Sequence, residues 1–383
     1  MTANPAHFDC GIGNKSIQPL LGDFSLVLLD GQSHQQQRKL LMPPFHGERM
    51  RSYSQTIYDI TQQVLNQWQP HQPFKMRDAT QEITLKVILN TVFGLDQGER
   101  FEQLRQLLSQ LLDTFNSPWK ASFLFFPSFK KDLGGWSPWG QFIRLRGQID
   151  QLLYAEIQER KNKPLGEDIL SLMMAARDEA GNPMSDQEVR DELMTLLFAG
   201  HETTASALAW AFYWVHYQPE VLTKLLEELQ QSGLENDLNI VLKLPYLNAV
   251  CSETLRIYPV VLFTFSRRLK VPMQILDYHL EAGTQLLPCI YLVHHREDLY
   301  PNPKQFRPER FLERQFSPYE FFPFGGGNRR CLGYAFALLE MKLVLATVLT
   351  QTKLELIENC PIKSVRRGIT FTPENGVPMQ VKL

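Results

Sequence analysis

The sequence has few cysteines, and no two of them lie close together. There are five, and no C-x-x-C pair occurs among them: Cys10, Cys251, Cys289, Cys331 and Cys360. This spacing excludes a zinc site or a disulfide framework of the usual kinds. An odd number of scattered thiols is typical of a reducing compartment, so we expect a cytoplasmic protein.

The sequence also lacks an excess of positive charge. Lysine and arginine number 39 and aspartate and glutamate 41, for a net charge of −2, so we expect no nucleic-acid partner. Neither an 18-residue apolar run nor a signal peptide is found, and no membrane span is predicted. Because no low-complexity linker or internal repeat divides the chain, we predict a single domain over residues 1–383.

Helical periodicity dominates the chain. Apolar residues recur at helical spacing in residues 48–69, 76–93, 99–115, 141–161, 167–178 and 219–232. A capping box at Ser185 and Glu188 begins another helix, which nothing interrupts before Pro219, so we predict one helix of roughly 50 Å. β-branched and aromatic residues over 260–275, and near the C-terminus, predict short strands. The expected fold class is mainly α with small β-sheets.

The most informative stretch is FFPFGGGNRRCLG, residues 321–333. Its glycines allow a tight loop whose backbone N–H groups can turn toward the sulfur of Cys331. Good helix formers follow, which places this sulfur at a helix N-terminus, and Arg329 and Arg330 add positive charge. We interpret Cys331 as a metal-bound thiolate; a buried structural cysteine is the alternative.

Three further patterns are weaker when taken alone. Ala199, Gly200, Thr203 and Thr204 share one helix face, where glycine costs on the order of 1 kcal/mol relative to alanine. The pattern indicates that something approaches this face closely, although small-residue helix packing also explains it. Two charged pairs at helical spacing, His34 with Arg38 and Glu253 with Arg256, are equally typical of a helix surface.

Together these motifs resemble the cytochrome P-450 family over residues 34–333. The pattern F-x-x-G-x-R-x-C-x-G, which begins at Phe324, is similar to the haem-binding loop of that family. AGHETT, residues 199–204, resembles its oxygen-binding groove, and H-x-x-x-R resembles its propionate-binding element. E-x-x-R and P-E-R-F resemble its Glu-Arg-Arg network, which we assign to Glu253, Arg256 and Arg310.

The resemblance implies the cytochrome P-450 fold and a haem b cofactor, with Cys331 as the axial ligand of the iron. Carried over by position, Glu202 and Thr203 match the acid and alcohol that deliver protons. His34, Arg38 and Arg267 match residues that bind the haem propionates. The full set expected to bind the cofactor is His34, Arg38, Ala199, Gly200, Arg267, Phe324, Arg329, Cys331 and Gly333.

The function implied is monooxygenation, in which one oxygen atom from O₂ enters an apolar small molecule by hydroxylation or epoxidation. We expect a fatty acid or terpenoid substrate and a ferredoxin or flavodoxin, with its reductase, as electron donor to a monomer. A docking face for that donor is expected at Lys39, Arg49, Arg51, Arg330 and Lys342, although a solvated charged surface is equally consistent. The aromatic-rich residues 117–140 fit either a substrate-entry lid or a buried connector.

The beginning of the chain departs from the family pattern. Family members carry further helices and the first sheet strands before the H-x-x-x-R element, whereas few residues precede His34 here. We therefore expect that the N-terminal part of the fold is missing, which leaves an upstream membrane anchor open as an alternative to a purely cytoplasmic location. This departure keeps open a second hypothesis, a non-catalytic haem-binding protein or an inactive truncated remnant.

Overall fold

The computed structural model describes residues 7–116, 123, 126 and 129–382. Helices account for 57% of it and the sheets are small, which confirms the predicted fold class. The helices are α1 Gln18–Leu21, α2 Gly31–Leu41, α3 Arg49–Leu65, α4 Met76–Phe93, α5 Glu99–Asn116, α6 Pro138–Lys161, α7 Ile169–Ala175, α8 Asp186–Gly200, α9 Glu202–Tyr217, α10 Pro219–Gln230, α11 Pro245–Ile257, α12 Ile290–His294, α13 Arg310–Glu313 and α14 Tyr334–Gln351. The strands are β1 Phe8–Asp9, β2 Phe74–Lys75, β3 Arg267–Leu269, β4 Met273–Ile275, β5 Tyr278–Leu280, β6 Gln285–Leu286, β7 Leu354–Leu356, β8 Ser364–Arg367, β9 Thr370–Pro373 and β10 Pro378–Val381.

The chain divides into two compact units. The first unit comprises Met1–Pro44, Ile88–Ala199 and Phe265–Pro288, and the second comprises Phe45–Val87, Gly200–Thr264 and Cys289–Leu383. Each unit is formed from three separate stretches of sequence. Our prediction of one domain over residues 1–383 stays a prediction.

In the first unit, α5 packs against α6 through aromatic side chains. The ring of Phe115 meets that of Phe142 edge-on at 6.1 Å. Strand β3 lies between β1 and β6 in an antiparallel sheet, with Phe8 opposite Leu269 and Arg267 opposite Leu286. A separate hairpin joins β4 to β5.

In the second unit, α14 packs against α3 and α9, and α9 also contacts α11. Aromatic residues fill this core, where the rings of Trp214 and Phe306 stack at 4.9 Å with an interplanar angle of 3°. Strand β10 lies between β2 and β7, and β8 pairs with β9. The second unit thus surrounds α14, the helix that follows Cys331.

Helix α14 is the one helix among the described residues that is long and apolar enough to cross a bilayer. Two-thirds of it, 67%, is buried within the protein. A core helix surrounded by other elements has the same apolar composition, because every face of it contacts apolar neighbours. The packing of α14 against α3 and α9 accounts for its composition without a membrane.

The single long helix predicted after Ser185 is wrong. The structure has two helices, α8 and α9, which are separated at His201. Hydroxyl groups bond the backbone carbonyls at this point: Thr204 Oγ1 donates to Gly200 O at 3.2 Å, and Thr84 Oγ1 donates to His201 O at 3.1 Å. The Thr204 hydroxyl competes for the carbonyl of Gly200, a residue with a permissive backbone, which explains the interruption. His201 O keeps its helical hydrogen bond from the Ala205 N–H at 2.9 Å, and the Thr84 hydroxyl is an additional donor to it.

The strand predicted over residues 260–275 is only partly confirmed. Strands β3 and β4 are present, but residues 260–266 are irregular apart from a bridge between Phe263 and Cys289. The N–H groups of Ile290 and Phe371 donate to Leu262 O and Val260 O, each at 2.8 Å. The hydrogen bonds of these two carbonyls are therefore made outside a regular β-ladder. The alternation of apolar side chains in this stretch does not require a strand.

Our alternatives for residues 117–140 fall largely outside the described residues, which omit 117–122, 124, 125, 127 and 128. Among those described, Trp136 is 95% exposed. Ser137 caps α6 by accepting a hydrogen bond from the Gly140 N–H at 3.1 Å. The choice between a lid and a connector stays open.

Candidate functional site

The loop before α14 presents Cys331 at the protein surface. Gly325 and Gly327 have φ values of +70° and +66°, a left-handed conformation that glycine adopts without strain. The Cys331 N–H donates to Phe324 O at 2.9 Å, and the Gly325 N–H donates to Phe322 O at 2.9 Å. These bonds fold the chain back on itself, and the Cys331 side chain is exposed.

The sequence neighbours of Cys331 are a glycine with open space beside it and two arginines. Gly333 is the N-cap of α14, and a Cβ placed there would meet nothing within 4 Å. Arg329 is half-buried and ends a 3₁₀ turn, while the Arg330 guanidinium lies 3.8 Å from the centre of the Tyr334 ring. A helix N-terminus and neighbouring arginines favour the thiolate form of a cysteine.

The donor set fits haem better than a metal ion held by protein ligands alone. Among the residues that the structure describes, no group of three or more His, Cys, Asp or Glu side chains could hold a metal ion. A structural zinc ion needs about four protein ligands, whereas haem iron needs only an axial one because the macrocycle supplies the others. An exposed cysteine on a glycine loop can supply the single protein ligand that haem iron needs.

Arg267, on β3 of the first unit, has the chemistry expected of a partner for an anionic group. Its side chain is only 8% exposed, and Nη1 donates to Phe265 O at 2.7 Å. Within the described ranges, no carboxylate lies within 4 Å of it. A buried guanidinium that has only backbone acceptors fits a propionate, because a buried charge otherwise lacks compensation.

The other site residues predicted in the first unit lie on helices. His34 is 2% exposed on α2, and Arg38 follows on the same face of that helix, as the i, i+4 spacing predicts. Ala199 lies near the end of α8. The remaining predicted residues belong to the second unit.

In the second unit, Glu202 begins α9 and forms a buried ion pair with Arg77 of α4. Arg77 is 2% exposed, and its other nitrogens donate to Gln81 Oε1 at 2.8 Å and Thr372 Oγ1 at 2.9 Å. Arg367 Nε lies 3.7 Å from the same glutamate oxygen, Oε1. Burial lowers the pKa of Arg77, and the charge of Glu202 opposes that shift.

The two oxygens of Glu202 therefore differ. Oε1 contacts both arginines, whereas Oε2 is buried and accepts no hydrogen bond from any described residue. Sequence reasoning did not find Arg77 or Arg367, because their contacts with Glu202 join distant parts of the chain.

The predicted Glu-Arg-Arg network is confirmed. Glu253, which is fully buried, accepts hydrogen bonds from Arg256 Nε at 2.6 Å and from Arg310 Nε at 3.1 Å. It also accepts one from the Arg307 N–H at 2.8 Å. Arg310 Nη1 in turn donates to Pro301 O at 2.8 Å. The network joins α11 to the segment that leads toward Cys331.

Lys342 does not belong to a docking face. It is 6% exposed on α14, and burial lowers its pKa. The apolar core around α14 explains why a lysine that follows Cys331 in sequence is not available at the surface. The other basic residues predicted for this face stay a prediction.

Comparison with known proteins decides the family. A profile described as "Cytochrome P450" matches residues 16–378. The chain belongs to the cytochrome P450 family. It is 36% identical over 382 residues to a protein of Mycobacterium tuberculosis named "Putative cytochrome P450 135B1", a match that covers 99% of this chain and 79% of the relative. "Putative cytochrome P450 137" of the same species is 33% identical over 98% of this chain and 77% of its own length.

Solved structures agree with this assignment. "Retinoic acid bound cyanobacterial CYP120A1" superimposes with a TM-score of 0.87 at 28% identity, covering 99% of this chain and 85% of that one. The "cytochrome P450DA heme domain" has a TM-score of 0.85 at 24% identity, which shows the shared fold, and covers 98% and 84% of the two chains. Haem b is the cofactor of this family, and monooxygenation with O₂, apolar substrates and redox partners is its general activity.

A buried acid in the first unit predicts how the stability of this cytochrome P450 depends on pH. Glu192 of α8 accepts hydrogen bonds from the Leu26 N–H at 2.7 Å and from Gln37, a residue of α2 between His34 and Arg38, at 3.1 Å. Burial raises the pKa of Glu192 to about 8. In the folded state Glu192 keeps a proton that it releases at lower pH in the unfolded chain. The free energy of unfolding therefore falls as the pH rises from the pKa of Glu192 in the unfolded chain toward 8.

We expect the free energy of unfolding of Glu192→Gln to fall less steeply with pH over this range than that of the parent. The difference in slope is at most about 1.4 kcal/mol per pH unit, the value for one proton. Urea unfolding of parent and variant between pH 5 and pH 8 measures this slope. Glu179→Gln is the matched control, because Glu179 is exposed and pairs with Lys39 at 2.8 Å. If Glu192→Gln unfolds with the pH dependence of the parent, Glu192 does not carry the proton.

Proposed function

We propose that this protein is a haem-thiolate monooxygenase that hydroxylates or epoxidises an apolar molecule, with Cys331 as the axial ligand. The observation that carries the proposal is the exposed Cys331 on a glycine loop, with no metal-binding cluster among the described residues. Thiolate-ligated haem b supplies reductive activation of O₂ and favours O–O cleavage. Residues 1–383 act as one domain in this proposal.

The residues of the chain have distinct roles in this proposal. His34, Arg38 and Arg267 bind the propionates, and this assignment is best supported by the buried Arg267, which has no carboxylate within 4 Å among the described residues. Phe324 packs beside the sulfur, Arg329 adds positive charge, and Gly333 leaves room at the N-terminus of α14. Ala199 and Gly200 provide the close approach for which small side chains are suited.

Glu202 and Thr203 manage protons in this proposal. Glu202 Oε1 is occupied by Arg77 and Arg367, so Oε2 is the atom at which a proton can be accepted and passed on. The Thr203 side chain is half-buried, and its hydroxyl is the group to which that proton is delivered. General acid chemistry of this kind requires a positioned donor that is linked to solvent.

We propose a long-chain fatty acid or a terpenoid as the substrate. The solved relative whose title names bound retinoic acid, an isoprenoid carboxylic acid, is 28% identical to this chain and supports this class. A ferredoxin or flavodoxin with its reductase is the proposed electron donor, and the protein acts as a monomer. The scattered cysteines support a cytoplasmic location.

The test is spectroscopic first and chemical second. The purified haem protein, reduced under CO, is expected to show the Soret shift of thiolate ligation. Fatty acids, terpenes and retinoic acid are then titrated, and each compound that perturbs the Soret band is incubated with O₂, NADH and a surrogate ferredoxin system. Absence of the thiolate-type shift would refute the monooxygenase proposal. The shift without oxygenated product from any binding compound would favour a non-catalytic haem protein.

Thr203→Ala is expected to uncouple the reaction. Loss of the hydroxyl removes a positioned proton donor, so electrons are diverted to peroxide and product formed per NADH falls by about 10²-fold. Product and peroxide are quantified against NADH consumed. Thr204→Ala is the matched control, because the Thr204 hydroxyl donates to the backbone at Gly200 O, at 3.2 Å, and has no proposed role in proton delivery. Equal coupling in Thr203→Ala and the parent would contradict the role of Thr203.

A further inference from the structure

His294 is a buried histidine to which the sequence motifs assigned no role. It is the last residue of α12 and is 0% exposed. Its Nε2 accepts a hydrogen bond from the backbone N–H of Phe322 at 3.1 Å. Phe322 lies at the start of the loop of residues 321–333, so the imidazole bonds directly to the segment that presents Cys331.

Aromatic rings hold the imidazole in place. The Phe321 ring stacks on it with 5.3 Å between ring centres and an interplanar angle of 27°. The rings of Phe322 and Tyr300 approach it edge-on, at 5.4 and 6.2 Å. Aromatic contacts of both kinds are favourable, and together they restrict the ring to one orientation. The acceptor nitrogen is therefore directed at the Phe322 N–H.

The backbone of His294 belongs to a second set of hydrogen bonds. Its carbonyl oxygen accepts a bond from Arg256 Nη1 at 2.8 Å, and Arg256 is bonded to Glu253. A continuous path of hydrogen bonds thus runs from Glu253 through Arg256 and His294 to Phe322. From there, Phe322 O accepts from the Gly325 N–H and Phe324 O accepts from the Cys331 N–H, both at 2.9 Å.

The bond to Phe322 requires a neutral imidazole, because a protonated ring has no acceptor nitrogen. The pKa of His294 is lowered to about 3, chiefly by burial and also by the charges of Arg256 on α11 and of His295, which follows α12. Interaction of the ring with the backbone of Arg256 and Leu255 opposes this shift. Nε2 is therefore an acceptor at neutral pH, with the ring proton on Nδ1.

We propose that His294 is a positioning residue that holds the start of the cysteine loop through the Phe322 N–H and so stabilises thiolate ligation by Cys331. The proposal rests on the proposed function, since it takes Cys331 as the ligand. A backbone N–H that loses its acceptor inside a protein is costly, and the loop would shift to satisfy it.

The test combines amide exchange with spectroscopy of the haem protein. In His294→Leu, the Phe322 amide is expected to exchange about tenfold faster, since the acceptor of a partly buried N–H is lost. The thiolate-type Soret band of the reduced CO complex is expected to convert to the thiol-type band faster by a similar factor. His294→Gln, whose side-chain oxygen can take the place of Nε2, is expected to restore both rates.

His295→Leu is the matched control, because His295 is adjacent in sequence but its Nδ1 lies against Tyr291 O at 2.9 Å. If His294→Leu does not fold, His294→Asn takes its place, since its shorter amide does not reach the position of Nε2. Unchanged Phe322 exchange, or equal rates in the Gln and Asn variants, would overturn the proposal. Absence of a thiolate-type band in the parent would refute Cys331 ligation instead, and the Phe322 exchange rate would still report on His294.

Discussion

Cys331→Ser is expected to abolish the thiolate-type Soret shift of the reduced CO complex and to reduce monooxygenation to background. The serine hydroxyl stays neutral at assay pH, whereas the proposed ligand is a thiolate, a form that a helix N-terminus and neighbouring arginines favour. The loop itself has no reason to unfold, because the bond from residue 331 to Phe324 O is made by the backbone. CO spectra, haem content and product yield are measured on the same preparation.

Cys360→Ser is the matched control for this substitution. Cys360 is also exposed, but it lies beyond α14, and its sulfur is 3.9 Å from Glu358 Oε2. This variant is expected to keep both the spectrum and the activity of the parent. A thiolate-type band that survives in Cys331→Ser would assign the ligand to another cysteine, and Cys360→Ser and Cys289→Ser would then identify it.

Glu253→Gln is expected to destabilise the protein by about 3–5 kcal/mol, because it leaves buried guanidinium groups without their carboxylate. Arg256 and Arg310 are 0% and 4% exposed, so solvent cannot compensate either charge. The loss also affects the site, since Arg256 bonds to His294 O. Urea unfolding followed by circular dichroism measures stability, and the Soret absorbance of the same samples reports haem retention.

Glu313→Gln serves as the comparison for a surface pair. Glu313 binds Arg307 with both side chains about half exposed, and exposed pairs of this kind contribute at most about 1 kcal/mol. The double variant Glu253→Gln with Arg256→Met is expected to be less destabilised than the sum of its single changes, because only Arg310 is then left without its carboxylate. Similar effects of Glu253→Gln and Glu313→Gln would show that the buried network does not stabilise the fold.

Features with a local cause could be predicted from the sequence. Periodicity located α4 at residues 76–93 as the structure has it, because an amphipathic or apolar helix needs only neighbours along the chain to define it. The Glu253, Arg256 and Arg310 assignments were confirmed because their motifs lie at characteristic spacings. The long helix after Ser185 was predicted wrongly, since the chain is interrupted at His201, where the Thr204 hydroxyl bonds to Gly200 O.

Two residues near the site were missed because their contacts join segments that are distant in sequence. Arg77 contacts Glu202 across 125 positions in sequence, and His294 contacts Phe322 across 28. A histidine next to another histidine, or an arginine at a helix start, has no local feature that distinguishes it from a surface residue. Their burial and hydrogen-bond partners exist only in the folded chain.

The sequence by itself determined the family, the mainly α fold class and Cys331 as the candidate ligand, because the glycines, the helix start and the basic residues that mark this cysteine lie next to it in the chain. Tertiary structure alone decided which groups surround those motifs. It paired Glu202 with two arginines, buried Lys342 and placed the imidazole of His294 against the cysteine loop. The physical reason is that burial and ion pairing depend on distances between segments, and these distances are set only when the chain packs.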